Sequence, residues 1–166
     1  MWGRRWLELW IAGVIVAADQ ATKALVLDRF DPGESATVIP GFFNLTLVHN
    51  TGAAFGFLNS VDFPFKTVVL VLVAVGALTA MGVYTTMLPP QQWVARLGLA
   101  LILGGAAGNL IDRIRLGYVV DFVNLSWKGG WHFWAFNVAD SAITVGVSVM
   151  LLDLLGIGRP SVPRAL

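Results

Sequence analysis

Residues 68–87 read VVLVLVAVGALTAMGVYTTM, and this stretch decides the fold because it contains no charged side chain. A helix needs about 20 apolar residues to cross roughly 30 Å of hydrocarbon. Three further apolar stretches lie at about 7–26, 94–111 and 136–157. The pattern predicts an all-α membrane protein in which four transmembrane helices form a single domain over residues 1–166.

The overall composition supports a membrane protein and excludes several other classes. Hydrophobic residues make up 57% of the chain and charged residues 13%, against about 45–50% and about 25% in soluble domains. A net charge of +1 provides no polycationic surface, so we expect no nucleic-acid partner. The absence of cysteine excludes disulfides and thiolate chemistry. His49 and His132 match no zinc-binding spacing, and we expect neither a metal nor an organic cofactor.

The two long connections, 28–66 and 113–135, are expected on the same side of the membrane. Pro89-Pro90 fits a short turn between the second and third spans. Residues 36–48 are rich in Thr, Val, Ile and Phe and are broken by Pro40-Gly41, which predicts two short strands and hence a small β element. The second connection carries aromatic residues that favour the lipid headgroup layer, and we expect a short interfacial helix or loop there. These residues are Trp127, Trp131, Phe133 and Trp134.

The charge distribution orients the chain only weakly. The basic residues are shared equally between the two sides, although Arg4 and Arg5 before the first span favour a cytoplasmic N-terminus. The alternative is a cleaved signal peptide ending near Val16-Ala17-Ala18. Glu8, at the start of the apolar stretch, argues against that alternative.

Two acids stand at the edges of lipid-compatible segments, Asp121 in Val119-Val120-Asp121-Phe122 and Asp140 in Phe136-Asn137-Val138-Ala139-Asp140-Ser141. Ionisable groups at such positions are costly and usually functional. Two close carboxylates share one proton, so that one can activate water while the other polarises a carbonyl. Spacing alone is equally consistent with two unrelated helix-end acids, since Asp140 lies in a first helical turn where a carboxylate also acts as a cap.

Other polar residues in apolar surroundings are arranged at helical spacing. Asp19 and Lys23 are four residues apart and can form an ion pair. Asn109 and Arg113 repeat this spacing at the end of the third span and are candidate site residues because they lie close to Asp121 in sequence. Small residues in Gly104-x-x-x-Gly108 predict a close helix contact.

Two further features have simpler interpretations. Asp112 and Arg115 are expected to form a solvated salt-bridge cluster. Residues 50–56, with the sequence NTGAAFG, form a turn-forming stretch in which glycine permits unusual backbone conformations. This stretch is either a plain loop or a segment that presents amides to an extended peptide.

Taken together, five stretches make the chain resemble the bacterial lipoprotein signal peptidases, also called type II signal peptidases. Their order matches that family and, with four spans, they cover nearly the whole chain. They are Asp19-Gln20-Ala21-Thr22-Lys23, Asn50 to Gly56, Gly105 to Arg113, Val119 to Phe122 and Phe136 to Ser141.

This resemblance implies an intramembrane aspartic endopeptidase that cleaves prolipoproteins before a diacylglyceryl-modified cysteine. Asp121 and Asp140 would be the catalytic pair, and Asp19 and Lys23 would support the site. The residues expected to line the site are Asn50, Gly52, Asn109, Arg113 and Asn137. The resemblance further implies a monomer in the bacterial inner membrane, with lipid and a lipidated prolipoprotein as partners. Both termini would be cytoplasmic, with 28–66 and 113–135 extracytoplasmic and the active site near the outer face.

Three other functions remain open from the residues themselves. Membrane carboxylates also serve proton-coupled transporters, although these usually place polar groups near mid-span. A non-enzymatic lipid-binding subunit would tolerate neutral substitutions at both acids. A metal-dependent hydrolase could use the oxygen ligands of Asp121, Asp140 and Asn109.

Overall fold

A computed structural model of the chain describes residues 3–52, 61, 63–127 and 131–156. Helices account for most of these residues, and a small antiparallel sheet packs at one end of them, which confirms the mostly helical fold with a small β element. The helices are α1 (Gly3–Arg29), α2 (Lys66–Met87), α3 (Trp93–Leu116) and α4 (Val138–Leu154). The strands are β1 (Ser35–Ile39), β2 (Phe43–Asn50), β3 (Val119–Trp127) and β4 (Trp131–His132), and they follow that order across the sheet.

Three of the described helices are long and apolar enough to cross a membrane, namely α2, α3 and the Trp6–Arg29 part of α1. The fourth helix, α4, has 17 residues, fewer than in the predicted span at 136–157. Its length does not by itself establish a fourth crossing. Bands of exposed tryptophan at both ends of the helices suit the two interfaces of a bilayer. Trp6, Trp10 and Trp93 lie at one end, and Trp127 and Trp134 lie at the other.

Consecutive helices run antiparallel, so that the ends of α1 and α3 lie beside the starts of α2 and α4. At one end of the bundle, Glu8 near the start of α1 bonds Arg96 near the start of α3, with 2.8 Å between Oε2 and Nη2. At the opposite end, the Thr67 hydroxyl donates to the Gly117 carbonyl, which joins the start of α2 to the end of α3. The sheet lies at this second end of the bundle.

Helix α3 lies at the centre of the bundle because its glycines allow two neighbours to approach closely. A methyl group at Gly104 would lie 2.9 Å from the Ala12 carbonyl oxygen of α1. A methyl group at Gly98 would lie 2.8 Å from the Gly146 carbonyl oxygen of α4. The close contact predicted from Gly104-x-x-x-Gly108 is therefore confirmed. In lipid there is no hydrophobic driving force between helices, and small residues allow the close packing that holds them together.

Two observed features differ from the sequence-based expectations. Helix α3 continues past the expected end near residue 111 and ends only at Gly117, whose φ of 84° suits a residue without Cβ. Arg113 is consequently a helical residue. The second connection forms strand β3, which pairs with β2 from Phe43 opposite Leu125 to Asn50 opposite Val119. Strands therefore replace the expected interfacial helix or loop at Val119–Trp127 and Trp131–His132, because pairing with β2 outweighs the local aromatic signal, whereas residues 133–135 lack regular secondary structure.

Candidate active site

Asp121 is a buried carboxylate on β3, at the end of the sheet that meets the helices. Only 2% of its surface is exposed. Its Oδ1 atom accepts a hydrogen bond of 2.7 Å from the side-chain amide of Asn137, and its Oδ2 atom accepts one of 2.9 Å from that of Asn50. Asn50 reaches it because paired strands place Val48 opposite Asp121 and Asn50 two residues further on the same face.

Asp140 occupies the first turn of α4, where it has two roles. Its Oδ2 atom accepts from the Asn137 backbone N–H at 3.3 Å, while its own N–H donates to Asn137 Oδ1 at 2.8 Å. This reciprocal pair is a capping box, so the capping role predicted for Asp140 is confirmed. Its other oxygen, Oδ1, accepts a 2.8 Å hydrogen bond from the side chain of Asn109. Asp140 is therefore more than a helix cap.

Asn137 links the two acids. It is fully buried, its side-chain Nδ2 donates to Asp121, and its backbone N–H donates to Asp140. Because Asn137 Oδ1 accepts from a backbone N–H, the opposite edge of the amide must present N–H groups to Asp121. The two acids that lie nineteen residues apart in sequence thus share one small residue, and they do not belong to unrelated helix ends.

Asn109 connects Asp140 to the buried Lys23. The ammonium group of Lys23 donates to Asn109 Oδ1 at 2.9 Å. An ammonium group can only donate, so this contact orients the amide of Asn109 with its Nδ2 toward Asp140. Asn137 also donates to Asn109 Oδ1 at 3.1 Å. Every polar contact around the acids is therefore part of one continuous network.

The surroundings of Asp121 raise its pKa to about 7. Burial is the largest cause because it disfavours the charged form, and the nearby charge of Asp140 acts in the same direction. The hydrogen bond from Asn50, the charge of Lys23 and the hydrogen bond from Asn137 oppose this rise. With its pKa raised in this way, Asp121 can hold a proton near neutral pH while Asp140 is ionised, so that the pair carries a single proton.

Lys23 lies between two aspartates, and we call these three residues the Lys23 cluster. Its ammonium group is 2.8 Å from Asp19 Oδ2, which confirms the predicted pair, and 2.8 Å from Asp112 Oδ2. All three side chains are buried, with exposures of 0% for Asp19, 2% for Lys23 and 3% for Asp112. The expectation of a solvated Asp112–Arg115 cluster is therefore wrong.

A sequence signal for Asp112 did exist. Asp112 follows Gly108 by four residues, as Gly108 follows Gly104, so it continues the helix face that packs against α1. A methyl group at Gly108 would lie 2.5 Å from Asp19 Oδ2, which shows how closely that face meets α1. Arg115, by contrast, is exposed and its guanidinium contacts Gln20 at 3.4 Å.

Arg113 holds the segment that follows β2. Its Nη2 atom donates to the Gly52 carbonyl at 2.9 Å, and the Gly52 N–H donates to Asn50 Oδ1 at 2.9 Å. The predicted site residues Asn50, Gly52 and Arg113 are thus brought together beside Asp121. The remainder of the 50–56 stretch, from Ala53 to Gly56, lies outside the described residues.

His49 packs against an aromatic ring of the site's surroundings. The ring of His49 stacks on Tyr118 with 3.9 Å between ring centroids. Among the described residues, no group of three or more histidine or acidic side chains is arranged to hold a metal ion. The chemistry available at the site is that of two carboxyl groups that accept hydrogen bonds from amides. Lys23 and Arg113 are the cationic side chains nearby.

Comparisons with known proteins agree with this geometry. Residues 11–156 match the family model described as signal peptidase II. The chain is 46% identical over 151 residues to the lipoprotein signal peptidase of Shewanella loihica, covering 91% of this chain and 86% of that protein. It is also 46% identical over 145 residues to the lipoprotein signal peptidase of Geobacter sulfurreducens, covering 87% and 89%.

A solved structure of a bacterial membrane enzyme, obtained by the in meso method at 2.3 Å resolution, has the same fold. It superposes with a TM-score of 0.81 and 32% identity, over 96% of this chain and 94% of that one. The family match spans both acids, the Lys23 cluster, most of α1 and the whole of α2, α3 and α4. The chain therefore belongs to the signal peptidase II family.

Proposed function

We propose that this signal peptidase II is an aspartic endopeptidase that removes the signal peptide of diacylglyceryl-modified prolipoproteins by cleaving before the lipid-modified cysteine. The observation that carries the proposal is the sharing of Asn137 by the Asp121 and Asp140 side chains. Two carboxyl groups held by one residue, Asp121 buried and Asp140 partly buried, have the arrangement that an aspartic mechanism needs.

In the proposed reaction the pair begins with one proton. The ionised carboxylate takes a proton from water, and the resulting hydroxyl oxygen attacks the scissile carbonyl carbon. The protonated carboxyl group gives its proton to the carbonyl oxygen, which produces a neutral tetrahedral diol. Collapse of the diol breaks the C–N bond while the carboxyl proton moves to the leaving amine. One carboxylate takes the proton of a diol hydroxyl as the product carboxyl group forms, so the pair again holds one proton.

The residues around the acids support substrate positioning. Asn50, Gly52 and Arg113 form a hydrogen-bonded edge beside Asp121, where an extended peptide could pair with backbone groups. Exposed apolar side chains on α2, such as Leu72 and Val73, provide a lipid-facing surface for acyl chains and membrane lipid. Each buried CH₂ contributes about 0.8 kcal/mol to such binding.

The antiparallel run of the helices supports a placement in the membrane. We infer four crossings, with α4 returning the chain to the side on which α1 begins. Both termini would then be cytoplasmic, and the acids would lie near the outer face of the bacterial inner membrane. We further propose that one chain suffices for activity, because the amides of Asn50, Asn109 and Asn137 already satisfy three of the four carboxylate oxygens of Asp121 and Asp140.

The alternatives are less well supported. A proton-coupled transporter would place its acids along a path through the bundle, whereas Asp121 and Asp140 lie together at one end. In a metal-dependent hydrolase the carboxylate oxygens would face the cation, yet three of the four oxygens accept from side-chain amides. Unchanged cleavage after treatment with a chelator is the expected result.

The test is cleavage of a synthetic diacylglyceryl-modified precursor peptide by purified protein. Asp121→Asn and Asp140→Asn should remain folded and lose at least about 100-fold in kcat, because general acid–base catalysis contributes on the order of 10²–10⁴. Asp28→Asn is the matched control, since Asp28 is exposed, and it should cleave like the wild type. Normal turnover in either site variant would refute the mechanism.

A further inference from the structure

The Lys23 cluster contacts the backbone next to each of the two acids. Asp112 Oδ2 accepts a 3.1 Å hydrogen bond from the N–H of Val120, the residue immediately before Asp121. Asp19 Oδ1 accepts a 3.0 Å hydrogen bond from the N–H of Ala139, the residue immediately before Asp140. Each aspartate of the cluster therefore holds the backbone N–H of the residue immediately before one member of the pair.

We propose that the Lys23 cluster is a positioning device that sets the separation of Asp121 and Asp140, with Lys23 joining the two aspartates that hold their backbones. The proposal rests on the proposed function and extends it to residues that do not touch the substrate. Asp112 is a positioning residue, because it acts through the N–H of Val120 and not on the reacting atoms.

The contacts are hard to explain as general stabilisation alone. Val120 lies opposite His49 of β2, but its N–H is bonded to Asp112 and its C=O to Asn137 Nδ2 at 3.2 Å, so side chains add to the strand pairing in fixing the backbone here. Ala139 is fully buried and lies within the first turn of α4, where N–H groups have no partner in the helix. Both contacts act within one residue of a site acid.

Burial makes the three-residue arrangement rigid. Lys23 uses its three N–H donors on Asp19, Asp112 and Asn109, so its ammonium group has no remaining donor for water. Moving either aspartate would leave a buried charge without its partner, which is strongly unfavourable. A displacement of about 1 Å at a catalytic group can lower the rate on the order of 100-fold, so a rigid link between the two backbones has a direct catalytic value.

The test compares Asp112→Asn with Asp112→Ala in cleavage of the lipidated precursor peptide. Both substitutions remove the same negative charge, but only asparagine keeps an oxygen that can accept from Val120. The other charged groups around the pair are unchanged in both variants. They are Asp19 and Lys23 on α1 and Arg113 on α3. A difference between the two variants therefore reports the hydrogen bond and not the charge.

We expect kcat of Asp112→Ala to be about tenfold or more below that of Asp112→Asn, with KM changed less than about threefold. The alkaline limb of the pH profile should also lie at lower pH in Asp112→Ala, because carboxyl groups that are further apart repel less and hold their shared proton less tightly. A purely structural role would change the melting temperature but would leave kcat and the pH profile of the folded protein equal in the two variants.

Equal kcat values and equal pH profiles in folded Asp112→Asn and Asp112→Ala would overturn the proposal. If Asp112→Ala does not accumulate, Asp19→Asn and Asp19→Ala test the same device at Ala139, and equality there overturns it too. A wild-type protein that fails to cleave the precursor would refute the proposed function. An active wild type with equivalent variants would refute the positioning role alone.

Discussion

The interface between α1 and α3 contains a buried charge cluster at each end, and the two clusters are built differently. At the end away from the sheet, Glu8 and Arg96 form a neutral pair with two hydrogen bonds. At the end next to the sheet, one lysine is shared by Asp19 and Asp112, which leaves a formal excess of one negative charge. Charge balance is complete in the first cluster and incomplete in the second.

The difference identifies which cluster belongs to the site. Arg96 also donates a 2.8 Å hydrogen bond to the Leu88 carbonyl at the end of α2. It therefore joins three helices and does not reach the acids. In the Lys23 cluster, carboxylate oxygens of Asp112 and Asp19 also accept hydrogen bonds from the N–H groups of Val120 and Ala139. A buried ion pair is weak evidence for stability by itself. The hydrogen bonds that it makes to groups outside the cluster indicate which part of the protein it positions.

The largest expected effect comes from removing the central cation of each cluster. Lys23→Met should destabilise the protein by about 3–5 kcal/mol, because two buried carboxylates lose their common partner. Arg96→Met should lower the free energy of unfolding by less, since only one carboxylate, Glu8, loses its partner, and the side chain of Glu8 is 15% exposed. Thermal unfolding in one detergent compares the two directly. A larger loss in Arg96→Met would show that the two clusters differ less than their contacts indicate.

A second comparison uses two glycines of α3 that contact α4 at opposite ends. A methyl group at Gly105 would collide with the Ala139 carbonyl oxygen, and one at Gly98 would lie 2.6 Å from the Met150 side chain. Overpacking typically costs about 1–3 kcal/mol, so Gly105→Ala and Gly98→Ala should destabilise similarly.

Only Gly105→Ala should also lower kcat, because Ala139 directly precedes Asp140. The measurement is precursor cleavage per folded molecule, with unfolding followed in parallel. Equal loss of kcat in both variants would mean that α3–α4 packing acts on the site as a whole, without a special role for the contact at Ala139.

Much of the fold could be predicted from local sequence. The charge-free stretch within α2 and the proline pair after it determine a helix and its end whatever the rest of the chain does. Asp121, Asp140 and their flanking residues were also recognisable, because acids beside apolar segments are expensive. Asp19 and Lys23 pair within one helix turn, so their contact required no long-range information.

The missing parts depended on contacts between distant segments. Strand β3 forms because β2 supplies its partner from about seventy residues earlier, as the Asn50–Asp121 hydrogen bond illustrates, and the aromatic residues nearby suggested an interfacial element instead. Asp112 has basic neighbours in sequence, Arg113 and Arg115, that look like local partners. Its spacing from Gly104 and Gly108 places it on the face toward α1, but its partner Lys23 is fixed only by the packing of α1 against α3.

The smallest expected effect is the pH dependence of stability and activity. It also distinguishes the end of the bundle next to the sheet from the end that contains Glu8 and Arg96. Folded Asp121 has a pKa of about 7, whereas the unfolded chain releases this proton near the ordinary value for aspartate. The contribution of Asp121 to stability is therefore fully present below that ordinary value and is lost as pH rises through about 7. Activity should fall by about tenfold per pH unit above that range, because the pair loses its shared proton.

Asp121→Asn should flatten the stability profile between these two values, because it removes the group whose pKa changes on folding. Glu8→Gln, at the opposite end of α1, should leave both the stability slope and the alkaline limb of kcat where they are in the wild type. Unfolding and precursor cleavage measured from pH 4 to pH 9 provide the check. An alkaline limb that moves in Glu8→Gln would mean that the far cluster is electrostatically coupled to the acids, and the division of α1 into a structural end and a site end would have to be abandoned.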